Sequence, residues 1–173
     1  MFIPLHCHST FSFHAGVCTP QEIVTRARSL GLPSIALTDT DRVSGLILFY
    51  QACQDAGISP ILGVELTDPS SAPDADEGCP HLVLLAKNAA GYGDLCEITT
   101  QRHIDPAFSF ARTFAKPWPN LFILTAFPDL LVQLAGTPNR GNLYGELVNN
   151  SALTRQRSRE LATRAESLGL PLT

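Results

Sequence analysis

Short apolar runs alternate with amphipathic stretches along most of this chain, so strand and helix are expected in turn. Residues 3–6 read as a first strand. Thr19 is placed to cap a helix, with Pro20 at its first position and Glu22 three residues after the cap. Ile23, Val24, Ala27 and Leu30 form its apolar stripe and Gly31 ends it. A strand at 34–38, a helix at 43–56 closed by Gly57, and a strand at 60–65 follow. Residues 67–79 are rich in Pro, Ser, Asp and Gly and read as an exposed loop. Beyond it the pattern predicts a strand at 81–87, a helix at 89–101 and an irregular connection over 103–120. A strand at 121–125, a short helix at 129–135, a sixth strand at 143–148 and a helix at 153–168 complete the series.

Ser29-Leu-Gly-Leu-Pro33 recurs as Ser167-Leu-Gly-Leu-Pro171. In the first copy the glycine ends a helix and the proline opens a strand, so the second predicts a seventh strand. Only Leu172 and Thr173 follow it, and a strand cut short there points to a longer parent chain. Strict alternation implies parallel strands joined by right-handed crossovers, in a barrel or an open doubly wound sheet. Both architectures gather functional groups at the carboxyl ends of their strands. His6 and His8, Asp39 and Asp41, and Glu65 all fall at such ends.

In an extended segment His6 and His8 face one side and Cys7 the other. Imidazole is the commonest protein ligand for divalent transition metals. Imidazoles clustered with carboxylates suit Zn or Mn, which polarise a phosphoryl oxygen and acidify bound water. Hydrolysis of a phosphate ester is the reaction class that follows. Each carboxylate also has a plainer reading: Asp39 and Asp41 can cap a helix starting at Val43, and Glu65 can end a strand at the surface. His81 opens a buried strand, either as a satisfied core histidine or as a further member of the site. His14 and His103 are expected at the surface. Cys53 and Cys96 fall in helical stripes and offer no nucleophile. No glycine-rich phosphate loop is present.

At 173 residues the chain is long enough for one domain with a proper core. It is 45% apolar and 16% charged, and no apolar run reaches the roughly 18–20 residues of a membrane span. The first residues lack the basic and apolar regions of a signal peptide. Five cysteines without a Cys-x-x-Cys spacing fit reduced thiols in the cytoplasm. A net charge of −4 argues against a nucleic-acid clamp, but leaves room for a cleft that handles a strand end through a metal.

His6-Cys-His8-Ser9, Ile-Ala-Leu-Thr-Asp39, Ile-Leu-Gly-Val-Glu65 and His81-Leu-Val-Leu-Leu-Ala-Lys-Asn88 with Gly91-Tyr92 resemble the PHP (polymerase and histidinol phosphatase) superfamily. The chain is most similar to the amino-terminal PHP domain of bacterial family-C DNA polymerase α subunits. Phe11-Ser-Phe-His-Ala-Gly16, and the absence of His after Asp39, resemble the error-prone branch. The resemblance implies a distorted seven-stranded (β/α) barrel, here truncated in strand seven, forming a single domain over 1–173 of a longer polymerase subunit. It implies a divalent metal, Zn or Mn, on His6, His8 and Glu65, with Asp41 and His81 as further candidates and Asp39 as a candidate catalytic carboxylate. It also implies a polymerase body in cis, DNA met through the parent protein, and no membrane. Several ligand positions depart from active members, and the acidic and histidine ligands that the resemblance places at the end of strand seven lie past Thr173. Thr40 stands where they carry His, Ala15 where many polymerase-type members carry Asp, and Thr125-Ala126 where polymerase members often carry a ligating Cys. A degenerate accessory site, an active phosphoesterase or 3′–5′ exonuclease, and a free-standing phosphatase are the readings this leaves open.

Overall fold

The computed structural model describes residues 2–13, 15–70 and 79–173. His14 and most of the loop expected at 67–79 lie outside them. In chain order the elements are α1 (Pro20–Ser29), β1 (Ser34–Leu37), α2 (Leu46–Ala56), β2 (Ser59–Thr67), β3 (His81–Ala86) and α3 (Ala89–Ile104). There follow α4 (Phe110–Thr113), β4 (Leu121–Thr125), α5 (Pro128–Ala135), a 3-10 turn at Arg140–Asn142, β5 (Leu143–Gly145) and α6 (Ala152–Leu168).

Local chemistry accounts for most boundaries. Thr19 and Glu22 form a reciprocal capping box with Pro20 inside it, as the spacing predicts. Gly31, Gly57 and Gly169 each take positive φ, which a side chain resists. Behind them Leu32, Ile58 and Leu170 donate back to Ala27, Cys53 and Ala165 carbonyls, so the repeated Ser-Leu-Gly-Leu-Pro segments are the same helix-to-strand corner built twice. Two expectations are corrected here. α2 starts at Leu46 behind Gly45, not at Val43, and Asp41 does not cap it: Asp41 sits at φ 52 with its carboxylate on the Thr67 backbone. The connection expected to be irregular over 103–120 holds the short helix α4, capped by Ser109.

Among the described residues the sheet has five strands in the order β1-β2-β3-β4-β5, and it is open and mixed where a seven-stranded parallel barrel was expected. β1–β2 and β4–β5 are parallel, whereas β3 runs antiparallel to both neighbours. A parallel β2–β3 pair would need a crossover element, and no helical pattern separates them in the sequence. Residues 3–6 lie along β1, with Pro4 and Cys7 carbonyls accepting from Ala36 and Thr38 amides, but form no regular strand. Pro4 has no amide to give, and the Cys7 amide goes to the Thr38 hydroxyl. At the opposite edge, residues 171–173 pair with β5 through one bridge, Gly145 with Leu172.

β1 and the middle of β3 are buried on both faces, as their nearly continuous apolar runs imply. Leu37, Val64, Leu66, Leu82, Leu84 and Ile123 pack under the helices with Phe49, Leu95, Phe110 and Leu161. Ala36, Val83, Leu85 and Leu124 form a smaller cluster on the other face with Leu5, Ile61 and Tyr144. No helix of the described residues is long and apolar enough to cross a membrane.

Candidate metal centre

The reversal of β3 positions the site. Because β3 is antiparallel, its first residue, His81, pairs with Thr67 and so lies at the rim where β1 and β2 end. Glu65 faces the same rim from β2, bridged to Thr40 beyond β1. His6 and His8 reach it from the amino-terminal segment while Cys7 packs into the helical core, so the two imidazoles share a side. Burial pushes the Cys7 thiol up to about 11, which keeps it protonated and unreactive.

Three imidazoles converge on one carboxylate oxygen. Glu65 Oε2 lies 3.0 Å from His6 Nε2, 3.5 Å from His8 Nε2 and 3.6 Å from His81 Nε2. The two Nε2 atoms of His6 and His8 are 3.1 Å apart. The His81 Nδ1–H donates to the Cys79 carbonyl at 3.0 Å, which leaves its Nε2 lone pair on the cluster side. His6 touches a second carboxylate: its Nδ1 is 3.0 Å from Glu146 Oε1, just beyond β5. Glu146 Oε2 and His8 Nδ1 are buried with no hydrogen-bond partner among the described residues. His6, His8, His81, Ala126 and Glu146 border a cavity of about 560 Å³ that runs out to Asn149 and Arg157.

The electrostatics follow from this packing. Burial opposes a charge on His6, but hydrogen bonds to Glu146 and Glu65 outweigh it and carry the imidazole up to about 9. Burial likewise opposes a charge on Glu65, yet hydrogen bonds from His6 and His8 and the nearby His81 hold its carboxyl well below the usual range. Burial lowers His81.

The donor set fits a divalent cation. With Nδ1–H of His6 committed to a carboxylate, the Nε2–Oε2 contact at 3.0 Å sets acceptor against acceptor unless a positive charge lies between them. In the metal-free chain that charge is the proton that the raised His6 retains. A tetrahedral cation with ligands at about 2.0–2.2 Å separates their donor atoms by about 3.3–3.6 Å. The 3.0–3.6 Å from Glu65 Oε2 to the three imidazoles and the 3.1 Å from His6 to His8 are close to this, and His6, Glu65 and His81 each bring one ligand atom within 4.8 Å of the others.

Asp39, Asp41 and Thr40 are occupied differently. Asp39 is 1% exposed and accepts from the Ser9 amide, the Ser9 hydroxyl and the Ser12 hydroxyl, each at 2.7 Å. It shapes the turn after His8. Gly16 lies so close beneath this turn that a Cβ there would fall 1.7 Å from the Ser9 carbonyl oxygen. Asp41 faces away, held by Thr67 and by Arg102 at 3.2 Å. Thr40 donates its hydroxyl to Glu65 Oε1 at 2.8 Å. His103 is exposed, as expected, and meets the Asp41 carbonyl. Glu146 is the member that reading the sequence missed. It was placed inside a strand expected over 143–148, whereas β5 stops at Gly145 and leaves Glu146 at a strand end.

The PHP domain model matches residues 4–169. An error-prone DNA polymerase of Symbiobacterium thermophilum is 41% identical over 170 residues, covering 90% of this chain and 15% of that protein. DNA polymerase III subunit alpha of Chlamydia pneumoniae is 35% identical over 117 residues, covering 64% of this chain and 9% of that protein. The chain thus spans a small part of the curated relatives it matches. Among solved structures, an amidohydrolase from Chromobacterium violaceum with bound sulfate has a TM-score of 0.60 at 19% identity, over 98% of this chain and 84% of that one. A candidate metal-dependent phosphoesterase from Bifidobacterium adolescentis has a TM-score of 0.57 at 16% identity, over 99% and 85%. These likenesses show the fold. By the extent of the family match and the sequence likeness, this chain belongs to the PHP domain family and is homologous to the PHP domains of bacterial DNA polymerase III α and error-prone polymerases.

Proposed function

We propose that the chain is the PHP domain of a cytoplasmic, error-prone-type DNA polymerase α subunit, holding one divalent cation, Zn or Mn, in a site reduced from a hydrolytic one. In this reading residues 1–173 are one domain of a longer subunit, and the sheet is an incomplete seven-stranded (β/α) barrel flanked by residues 3–6 and 171–173. The polymerase body is its partner in cis, and DNA is met through that parent. The ligands are His6, His8, Glu65 and His81.

One observation carries the reading. The Thr40 hydroxyl occupies Glu65 Oε1, so this carboxylate has only Oε2 facing the imidazoles. Resemblance puts a ligating histidine at this position in active members. A neutral hydroxyl is a poor substitute, and Ala126 adds no donor on the β4 side. A bound cation would supply Lewis acidity to a phosphoryl oxygen. The chain's own residues hold that position: Glu65 gathers the imidazoles, Cys79 orients His81, and Asp39 fixes the turn that carries His8. With Asp39 and Asp41 both engaged by neighbouring residues, neither is offered to a reacting water as a base.

Elemental analysis and release of a 3′-terminal nucleotide test this directly. One metal ion per chain is expected, with release no faster than from His8→Ala. Several tightly held ions together with His8-dependent hydrolysis would overturn the reduced-site reading. Thr40→His should raise both the metal count and hydrolysis of the 3′-terminal nucleotide. The polymerase context has its own check: the gene's reading frame is expected to continue past Thr173 into polymerase sequence, and a stop there would leave a free-standing phosphatase.

A further inference from the structure

We infer that Glu146 is a positioning residue for the cation site: it fixes the tautomer and ring plane of His6 so that Nε2, and not Nδ1, is offered to a metal. The inference rests on the metal reading above and adds a residue to it.

An ionised carboxylate can only accept, so the 3.0 Å contact between Glu146 Oε1 and His6 Nδ1 requires the proton on Nδ1. When the ring is neutral, its lone pair is then on Nε2, the atom that faces Glu65 Oε2 at 3.0 Å and His8 Nε2 at 3.1 Å. Glu146 is 9% exposed, and its other oxygen has no partner among the described residues. Burying such a group is costly unless it is paired, and its pairing here is with the ring that it aligns. The main chain holds it in register: the Glu146 amide donates to the Thr125 carbonyl at 2.8 Å, at the end of β4. Glu146 is thereby tied to the sheet, while His6 belongs to an amino-terminal segment with no regular strand of its own. A side chain on such a segment needs a fixed second contact to present one nitrogen in one direction. His81 has the equivalent contact from the Cys79 carbonyl, and His8 Nδ1 has none among the described residues. Carboxylate–histidine–metal arrangements of this kind orient ligands generally, and removing the outer carboxylate commonly costs about 10- to 100-fold in metal affinity.

The test is Zn and Mn affinity by chelator competition for wild type, Glu146→Gln, His6→Ala and the double variant. Glu146→Gln is expected to bind about 10- to 100-fold more weakly. The same change in the His6→Ala background should cost little, because the residue it aligns has gone. Unchanged affinity in Glu146→Gln, or an equal loss in both backgrounds, would overturn the inference. Should Glu146→Gln not fold, long-range ¹H–¹⁵N spectra of the loaded wild type decide the question alone. A protonated Nδ1 with metal on Nε2 supports the inference, and the opposite arrangement sinks it. A wild-type protein that takes up no Zn or Mn defeats the metal reading instead. The positioning role is then read from the His6 Nδ1–H resonance of the metal-free protein, which should be protected in wild type and lost or shifted in a folded Glu146→Asp or Glu146→Gln variant. No change in that resonance would overturn it.

Discussion

His6 is pressed from two sides, by Glu146 at Nδ1 and by Glu65 at Nε2. Burial alone would lower it, but the two carboxylates raise it to about 9. A group whose folded value lies above its unfolded value lends stability that is complete below the unfolded value, about 6.5, and lost as pH rises through the folded one. Glu65 is held down, so its contribution is complete above the ordinary carboxyl range and fades as pH falls towards its low folded value. The metal-free protein, kept in chelator, should therefore be more stable to urea at pH 6 than at pH 9.5. In His6→Ala that difference should shrink; an undiminished difference would assign it to other groups. The histidine pair and Glu65 were legible in the sequence because strand-end position and side-chain alternation follow from pattern alone. The roles of Asp39 and Asp41 were not, because both depend on which neighbours donate to them: Ser9 and Ser12 in one case, Thr67 and Arg102 in the other.

Helices were readable where a cap marked them, as at Thr19 and at Gly57, and strands where apolar runs were bounded by turn residues. Strand direction was not, since the continuous apolar run of 82–86 reads the same in either sense. The available signal was negative: without a helix between β2 and β3, an antiparallel return was the simpler topology. That return brings Gly63 of β2 opposite Leu85 and so close to β3 that a Cβ would lie 2.6 Å from the Leu84 carbonyl oxygen and 2.9 Å from Thr38 Cγ2. The backbone of β3 cannot yield without shifting the strands that carry Glu65 and His81. Gly63→Ala is accordingly expected to cost about 1–3 kcal/mol and to weaken metal uptake. Gly31→Ala meets no neighbouring atom but forces a side chain into φ +67, for about 1–2 kcal/mol, far from the site. Urea titration with a parallel metal titration separates the two. Similar destabilisation is expected, with metal affinity changed only at Gly63. A loss of affinity in both would mean that the site responds to global stability, not to the β2–β3 register.

At the scale of the whole molecule the described strands form one open sheet, and the candidate ligands come from different elements along it. His6 and His8 come from the segment beside β1, Glu65 from β2 and His81 from β3. Glu146 stands beyond β5, where residues 171–173 pair with Gly145 and Leu147. A cation held by His6, His8, Glu65 and His81 would tie the amino-terminal segment to the middle of the sheet. Through the His6–Glu146 contact, it would also tie that segment to the β5 edge. Anything that binds only the folded form adds stability by mass action, about 2.7 kcal/mol at a hundred times Kd. For a chain of this size, each kcal/mol moves Tm by about 2–4 °C. Saturating Zn or Mn at that ratio should therefore raise Tm by about 5–11 °C in wild type. In His8→Ala, which keeps the carboxylates but loses an imidazole, the rise should be much smaller at the same concentration. Hydrogen exchange locates the effect: added metal should protect the amides of residues 2–8 and 145–147 more than those of α1 or α2. A uniform gain in protection would mean non-specific stabilisation, and protection confined to β2 and β3 would mean that the two edges of the sheet are not coupled through His6.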